Sequence, residues 1–322
     1  MKNTPILYLV VPCYNEEEVL NKTSTILLDK LNELEKSKVI SKNSKVLFVN
    51  DGSSDNTKNI LNDLVNSNNK YGVINFTTNF GHQNAIFAGM MVAKDYADIV
   101  VTIDADLQQD INALEKFIES YKQGNEIVYG VRNDRNTDSF FKKTTASLYY
   151  KFMKLLGCNI IANSADYRLL SKKALEVLSE YKEYNLFLRG LIPTIGLKSD
   201  IVHFDVKERE AGSSKYTLKK MANLAIDGIT SFSTVPLHFI CIIGFIIFAF
   251  SVILGIFTFV DWILNKNVPG YTTLLLVLLM STGLITLSLG IIGEYIGKIY
   301  IETKRRPRYS IESIIINKDT KK

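Results

Sequence analysis

An α/β fold is what this sequence predicts: a mainly parallel sheet with helices on both faces, followed by two apolar helices. Three observations lead there. Short runs rich in β-branched and aromatic residues alternate with helix-compatible segments from Ile6 to Val131, the repetition expected of parallel strands joined by crossover helices. Polar clusters stand directly after several of those runs, where open parallel sheets carry their sites. No Asp, Glu, Lys or Arg occurs from Gly228 to Val260 or from Asn267 to Gly293, and each stretch exceeds the roughly 20 apolar residues that cross a bilayer core.

Ile6 to Pro12 opens the chain as a strand, apolar throughout as a strand buried on both faces must be. Glu16 to Lys36 has helical spacing. Lys45 to Asp51 is the second strand and Asn56 to Val65 the second helix, with Asp55 as its N-cap. Gly72 to Phe76, Asp98 to Ile103 and Glu126 to Val131 continue the strands. Beyond Val131 the alternation is irregular: Phe140 to Leu156 reads as an aromatic-rich helix, Ala165 to Leu170 and Ile201 to Glu208 as strands. From Lys215 to Phe232, the residues Leu218, Met221, Leu224, Ala225, Ile229 and Phe232 recur at helical spacing behind Lys215, Lys219 and Lys220. Such a helix suits a membrane interface or a packing face on the rest of the chain. The expected division is a catalytic domain over residues 1–212, an interfacial helix over 213–233, two membrane helices within 234–295 (about 236–260 and 270–293) and a basic tail over 296–322.

The chain of 322 residues carries a net charge of +5. Its basic residues cluster beside the apolar stretches and not along an aromatic-interleaved groove, which excludes nucleic acid and favours anionic membrane lipids as partners. Lys266 is the one basic residue between the two stretches, whereas Lys215, Lys219 and Lys220 precede them and Lys298, Lys304, Arg305, Arg306 and Arg308 follow. By the positive-inside rule both ends face the cytoplasm. The run Ile6 to Val11, ended by Pro12, is too short for a signal peptide, so the expected location is the cytoplasmic membrane, multi-pass, with the large domain and both termini cytoplasmic. Cys13, Cys158 and Cys241 lack metal-ligand spacing and read as reduced structural residues. Gly283, Gly290 and Gly293 permit close helix packing and so admit a homo-oligomer.

Asp104 and Asp106 are two apart at a strand terminus, so extended backbone points both carboxylates the same way. A single hard cation, Mg²⁺ or Mn²⁺, could join them to a diphosphate and offset the charge on a departing nucleotide. Asp51 ends another strand and could accept a hydrogen bond from a base or ribose, with Gly52 letting the backbone turn closely beside it. His82 reads as a structural or helix-start residue more readily than as a proton carrier.

Taken in order, Val11-Pro12-Cys13-Tyr14-Asn15-Glu16-Glu17, Asn50-Asp51-Gly52-Ser53-Ser54-Asp55, Asn79-Phe80-Gly81-His82-Gln83 and Asp104-Ala105-Asp106-Leu107-Gln108 resemble the family-two glycosyltransferases of GT-A fold. With the C-terminal hairpin, the chain looks like the polyprenyl-phosphate glycosyltransferases among them. The resemblance implies that Pro12, Tyr14, Glu16 and Asp51 hold the nucleoside, and that Asp104, Asp106 and Gln108 surround the metal and diphosphate, with Arg132 nearby. It implies that Asn163-Ser164-Ala165-Asp166-Tyr167-Arg168 faces the acceptor, with Asp166 as base, Asp106 as its catalytic counterpart and Arg168 near the acceptor phosphate. Arg209 and Lys215 would grip that phosphate beside the interfacial helix, where arginine's fork suits phosphate oxygens.

The implied reaction is an inverting transfer of one sugar from a nucleotide diphosphate sugar, a UDP-sugar foremost, to polyprenyl (undecaprenyl) phosphate. A phosphomonoester has a second pKa near 6 and needs little help losing a proton, so Asp166 has the alternative task of orienting a hydroxyl or the acceptor. Two other readings stay open. Processive polysaccharide synthases carry a Gln-x-x-Arg-Trp motif, which the sole tryptophan, Trp262, does not complete. A non-catalytic membrane adaptor that senses a sugar nucleotide would have no need of the acidic pair.

Overall fold

The computed structural model describes residues 4–133, 161, 163–184, 186–205, 235–264 and 270–316. They fall in two compact units. The first holds the sheet and includes residues from Arg306 onward; the second holds the two long helices.

In the first unit β1 (Leu7–Cys13), β2 (Lys45–Asn50), β3 (Tyr71–Phe76) and β4 (Ile99–Thr102) are buried along their whole length. That is why their sequences read as continuous apolar runs without alternation. The helices α1 (Leu20–Lys36), α2 (Thr57–Ser67), α3 (His82–Ala93) and α4 (Ala113–Lys122) separate or follow them. β5 (Ile127–Arg132), β6 (Ser164–Ser171), α5 (Lys172–Ser179), α6 (Leu188–Thr194) and β7 (Ser199–Phe204) complete the chain up to Asp205. Among the described residues the sheet runs β7-β5-β6-β4-β1-β2-β3-β8, where β8 is Ile311–Ile316. The β4-β1-β2-β3 block is parallel, a Rossmann-like arrangement, while β6 runs antiparallel to β4 and β5, and β8 antiparallel to β3. Phe48, Phe117, Tyr167 and the leucines of α1 fill the core.

Two expectations need correction. Asp55 is not the N-cap of α2: the helix starts at Thr57 with Asn56 in the cap position, and Asp55 Oδ1 accepts the Thr57 N–H at 3.0 Å in a local turn. Residues 296–322 are not a separate tail. The second long helix continues to Thr303, and the chain then returns as β8, whose backbone amides find partners on the otherwise open edge of β3. The sheet-bearing unit is therefore discontinuous in sequence.

The second unit contains α7 (Val235–Ile263) and α8 (Tyr271–Thr303). Phe239, Phe245, Phe250, Met280, Leu287 and Ile292 on these helices are exposed. Among the described residues, one stretch, Met280–Thr303, is long and apolar enough to cross a membrane. The expected helices over 140–156 and 213–233, with Arg209 and Lys215, lie outside the described residues.

Candidate active site

The parallel block creates a switch point: from β1 the chain steps to β2 and β3 on one side, then returns to β4 on the other. The connections leaving the carboxyl ends of β1 and β4 run to opposite sides, the position where open parallel sheets carry a binding crevice. β6 runs the opposite way, so its first residues arrive at the same rim. The pairing Thr102↔Arg168, extended by two residues, sets Asp166 across from Asp104.

Loops after β1 and β2 are clasped together. Asn15 sits at φ 54° and donates its N–H to Ser53 Oγ (3.1 Å), while its Oδ1 accepts from Ser54 N–H (2.9 Å). Glu16 N–H donates to Thr57 Oγ1 at 2.9 Å. Pro12 is buried within β1, whereas Tyr14 stands on the rim with its ring exposed. Asp51 is buried, and its two carboxylate oxygens accept the backbone N–H groups of Phe80 (2.7 Å) and Gly81 (2.9 Å). It thereby fixes the loop that starts α3. Burial raises its pKa, with those N–H bonds and His82 pulling the other way.

Gly52, at φ 62°, packs so closely that a Cβ would lie 2.3 Å from the carbonyl carbon of Thr78. Neither the conformation nor the space admits a side chain. Gly52→Ala is expected to destabilise the fold by roughly 1–3 kcal/mol, read as a lowered thermal midpoint.

The acidic loop after β4 is held from three sides. Gln109, itself buried, accepts the Asp104 N–H through Oε1 (2.8 Å) and donates Nε2 to Asp104 Oδ2. Thr23 Oγ1 on α1 donates to Ala105 O (2.7 Å), and Asp106 Oδ1 accepts the Gln108 N–H (3.1 Å). Leu107 adopts φ 49°, a rare conformation for leucine that turns the chain after the second carboxylate. Asp104 Oδ1 is buried and has no hydrogen-bond partner among the described residues; His82 Nε2 lies 3.5 Å away. Burial raises the Asp104 pKa, as do the carboxylates of Asp166 and Asp106, against His82 and Gln109. An orphaned carboxylate oxygen with raised proton affinity fits a cation. Among the described residues no group of three or more His, Cys, Asp and Glu side chains forms a metal cage.

Across the crevice, Asp166 is buried among cations. Arg168 Nη2 donates to its Oδ1, and Arg189 of α6 donates Nη2 to Oδ2 (2.9 Å) and Nε to Oδ1 (3.2 Å). Gln83 Nε2 also reaches Oδ2 at 3.3 Å, and its Oε1 accepts the Leu188 N–H (3.1 Å), tying α3 to the start of α6. His82 Nε2 is 3.8 Å from the same oxygen. Burial alone would raise the Asp166 pKa, but Arg189, Arg168 and His82 hold it well below the usual carboxylate range.

The rim thus gathers Tyr14, Glu16, Asp51, Asp104, Asp106, Gln108 and Asp166, with Arg132 ending β5 two strands away from β4. The structure adds one residue and changes one expectation. Gln109 grips Asp104. Arg168 is only 2% exposed, because it alternates onto the same inward face as Asp166 and neutralises it there, so it is not presented to an acceptor phosphate; Arg189, 35% exposed, is the more open member of the pair. Two guanidiniums beside Asp166 favour its ionised form. Sequence reasoning missed Arg189 and Gln109. The only sequence signal for Gln109 was its place beside the chosen Gln108, and Arg189 carried none, coming from the irregular half.

Comparison with known proteins gives a consistent picture. Residues 8–179 match the glycosyl transferase family 2 model, and residues 235–299 match the GtrB C-terminal hairpin. The chain is 46% identical over 316 residues to the uncharacterized glycosyltransferase YkoT of Bacillus subtilis, covering 98% of this chain and 94% of that protein. It is 39% identical over 308 residues to the prophage bactoprenol glucosyl transferase homolog of Escherichia coli (95% and 98% covered). It is also 39% identical over 307 residues to the bactoprenol glucosyl transferase of Shigella phage SfX, with the same coverage.

Proposed function

Because the chain belongs to glycosyl transferase family 2, we propose that it transfers a single sugar, with inversion, from a UDP-sugar to undecaprenyl phosphate or a similar polyprenyl phosphate. The product is a lipid-linked sugar for use in the cell envelope. The observation that carries the chemistry is the orphaned Asp104 Oδ1 at the switch point, beside Asp106 and opposite Asp166. The acceptor class rests on relatives named bactoprenol glucosyl transferases and on the matching hairpin.

In this reading Asp104, Asp106 and Gln108 hold Mg²⁺ or Mn²⁺. When bound, the cation offsets negative charge on the departing diphosphate. Tyr14 offers its ring to the base, Glu16 and Pro12 border the nucleoside, and Asp51 acts indirectly by holding Phe80 and Gly81. Asp166 keeps Arg189 aimed across the crevice, where its guanidinium meets phosphate oxygens. The acceptor phosphate, second pKa near 6, is already largely ionised at neutral pH and attacks without a strong base. Arg132, Arg209 and Lys215 are further phosphate contacts in this scheme. The helices α7 and α8 form a membrane hairpin with both chain ends cytoplasmic, so one substrate is confined to the membrane plane and encounter is restricted to the bilayer surface.

The test is a panel of radiolabelled sugar nucleotides incubated with the purified full-length protein, Mg²⁺ or Mn²⁺ and undecaprenyl phosphate. Label is expected in the organic extract with one donor of the panel. Release of free sugar alone would refute the acceptor assignment.

A further inference from the structure

The strand that returns after the long helices reaches the donor side of the site through a row of buried amides. Asn50, Asn75 and Ser313 stand in register on β2, β3 and β8. Asn75 Nδ2 donates to Ser313 Oγ (3.1 Å), Asn50 Nδ2 donates to Asn75 Oδ1 (2.9 Å), and the backbone N–H of Ser53 donates to Asn50 Oδ1 (3.1 Å). Both asparagines are buried. The Ser53 N–H requires an oxygen, so Asn50 must turn its NH₂ to Asn75, and Asn75 must turn its own NH₂ to Ser313. The hydroxyl on β8 therefore terminates a chain whose far end is the loop after β2.

A second contact line runs parallel. Tyr309 stacks on Phe76 with ring centroids 5.2 Å apart, Phe76 meets Phe80 edge-on at 5.7 Å, and Phe80 N–H donates to Asp51. Arg308 lies over the Phe87 ring of α3 at 4.7 Å and donates to Tyr181 O at 2.6 Å. Both lines end on the loops that carry Asp51, Gly52, Ser53, Phe80 and Gly81.

We propose that residues 308–313 form a positioning strap for the donor site, in which Ser313 and Tyr309 set the two loops from behind without touching substrate. The assignment rests on the reading that those loops face the nucleotide sugar. Removing the Ser313 hydroxyl strands a buried NH₂ group; the Asn75 amide must then rotate, and Asn50 and the Ser53 N–H lose their alignment in turn. Donor binding suffers, whereas the acceptor side, on β6 and α6, is untouched.

The experiment uses the full-length protein in detergent with Ser313→Ala, Ser313→Thr, Tyr309→Ala and Tyr309→Phe. Donor KM is measured with UDP-glucose, and hydrogen exchange is followed at the Ser53 and β1 amides. Ser313→Ala is expected to raise donor KM about five- to tenfold with acceptor KM unchanged, and Ser313→Thr to restore it. Tyr309→Ala should act likewise and Tyr309→Phe should not. Exchange at Ser53 should quicken in Ser313→Ala while β1 keeps its protection. Unchanged exchange at Ser53, or an equal loss of protection across β1, overturns the proposal, as does an unchanged donor KM. If the parent protein fails to turn over yet Ser53 alone is loosened, the strap stands and the reading of the reaction falls.

Discussion

Asp104→Asn is expected to lower transfer by about three orders of magnitude, the rate equivalent of roughly 4 kcal/mol of lost leaving-group stabilisation, while leaving the fold as stable as the parent or more so. The two halves of this expectation have one cause. Burial and the nearby Asp166 and Asp106 carboxylates raise the Asp104 pKa. The contribution of such a group to stability is fully present below the ordinary carboxylate pKa and is lost as pH rises through the elevated folded value. Without metal, ionising Asp104 is therefore a liability to the fold. Asparagine removes the charge and keeps the shape. Thermal midpoints taken without metal should differ least in the acid range below the ordinary carboxylate pKa, with the variant's advantage growing as pH rises from there. Added Mn²⁺ should raise the parent's midpoint and leave the variant's unchanged. A variant with near-parental turnover, or a parent indifferent to Mn²⁺, would remove Asp104 from the chemistry.

Much of this site was legible because parallel strands buried on both faces spell themselves as apolar runs, and their ends are marked by polar clusters. Lys45–Asn50 followed by Asp51-Gly52-Ser53 and Ile99–Thr102 followed by Asp104 are examples. What escaped depended on pairing across long distances. Ser313 meets Asn75 across 238 positions, and Ile311–Ile316, coming after a basic run, has no local feature that distinguishes an edge strand from a tail. Gln109 escaped because the left-handed turn at Leu107 interrupts simple alternation and brings it back under Asp104. Arg168 was expected near the acceptor phosphate on resemblance alone, which says nothing of its burial. Only the antiparallel course of β6 explains how both Asp166 and Arg168 turn inward beside the acidic loop.

That burial makes Asp166→Asn the second large effect, and one that reports on more than catalysis. Leaving Arg168 buried with its counter-charge gone should cost about 3–5 kcal/mol of stability, and turnover should fall as Arg189 loses its anchor. The low pKa of Asp166 supplies stability that is present above the ordinary carboxylate value and lost as pH falls from there through the depressed folded value. Between pH 5 and 8 this group does not titrate. A catalytic base at this position would impose its own acid limb on kcat/KM. An arginine anchor would not, and the limb should instead sit near ~6, where the acceptor phosphate itself gains a proton. The same limb should persist in the residual activity of Asp166→Asn. A double variant, Asp166→Leu with Arg168→Met, separates the two roles further: replacing a buried ion pair by apolar groups of similar volume tends to recover stability. It should regain the parent's thermal midpoint without regaining turnover, because Arg189 would still lack its carboxylate. Parental stability in Asp166→Asn together with a displaced acid limb would instead restore Asp166 as the proton acceptor.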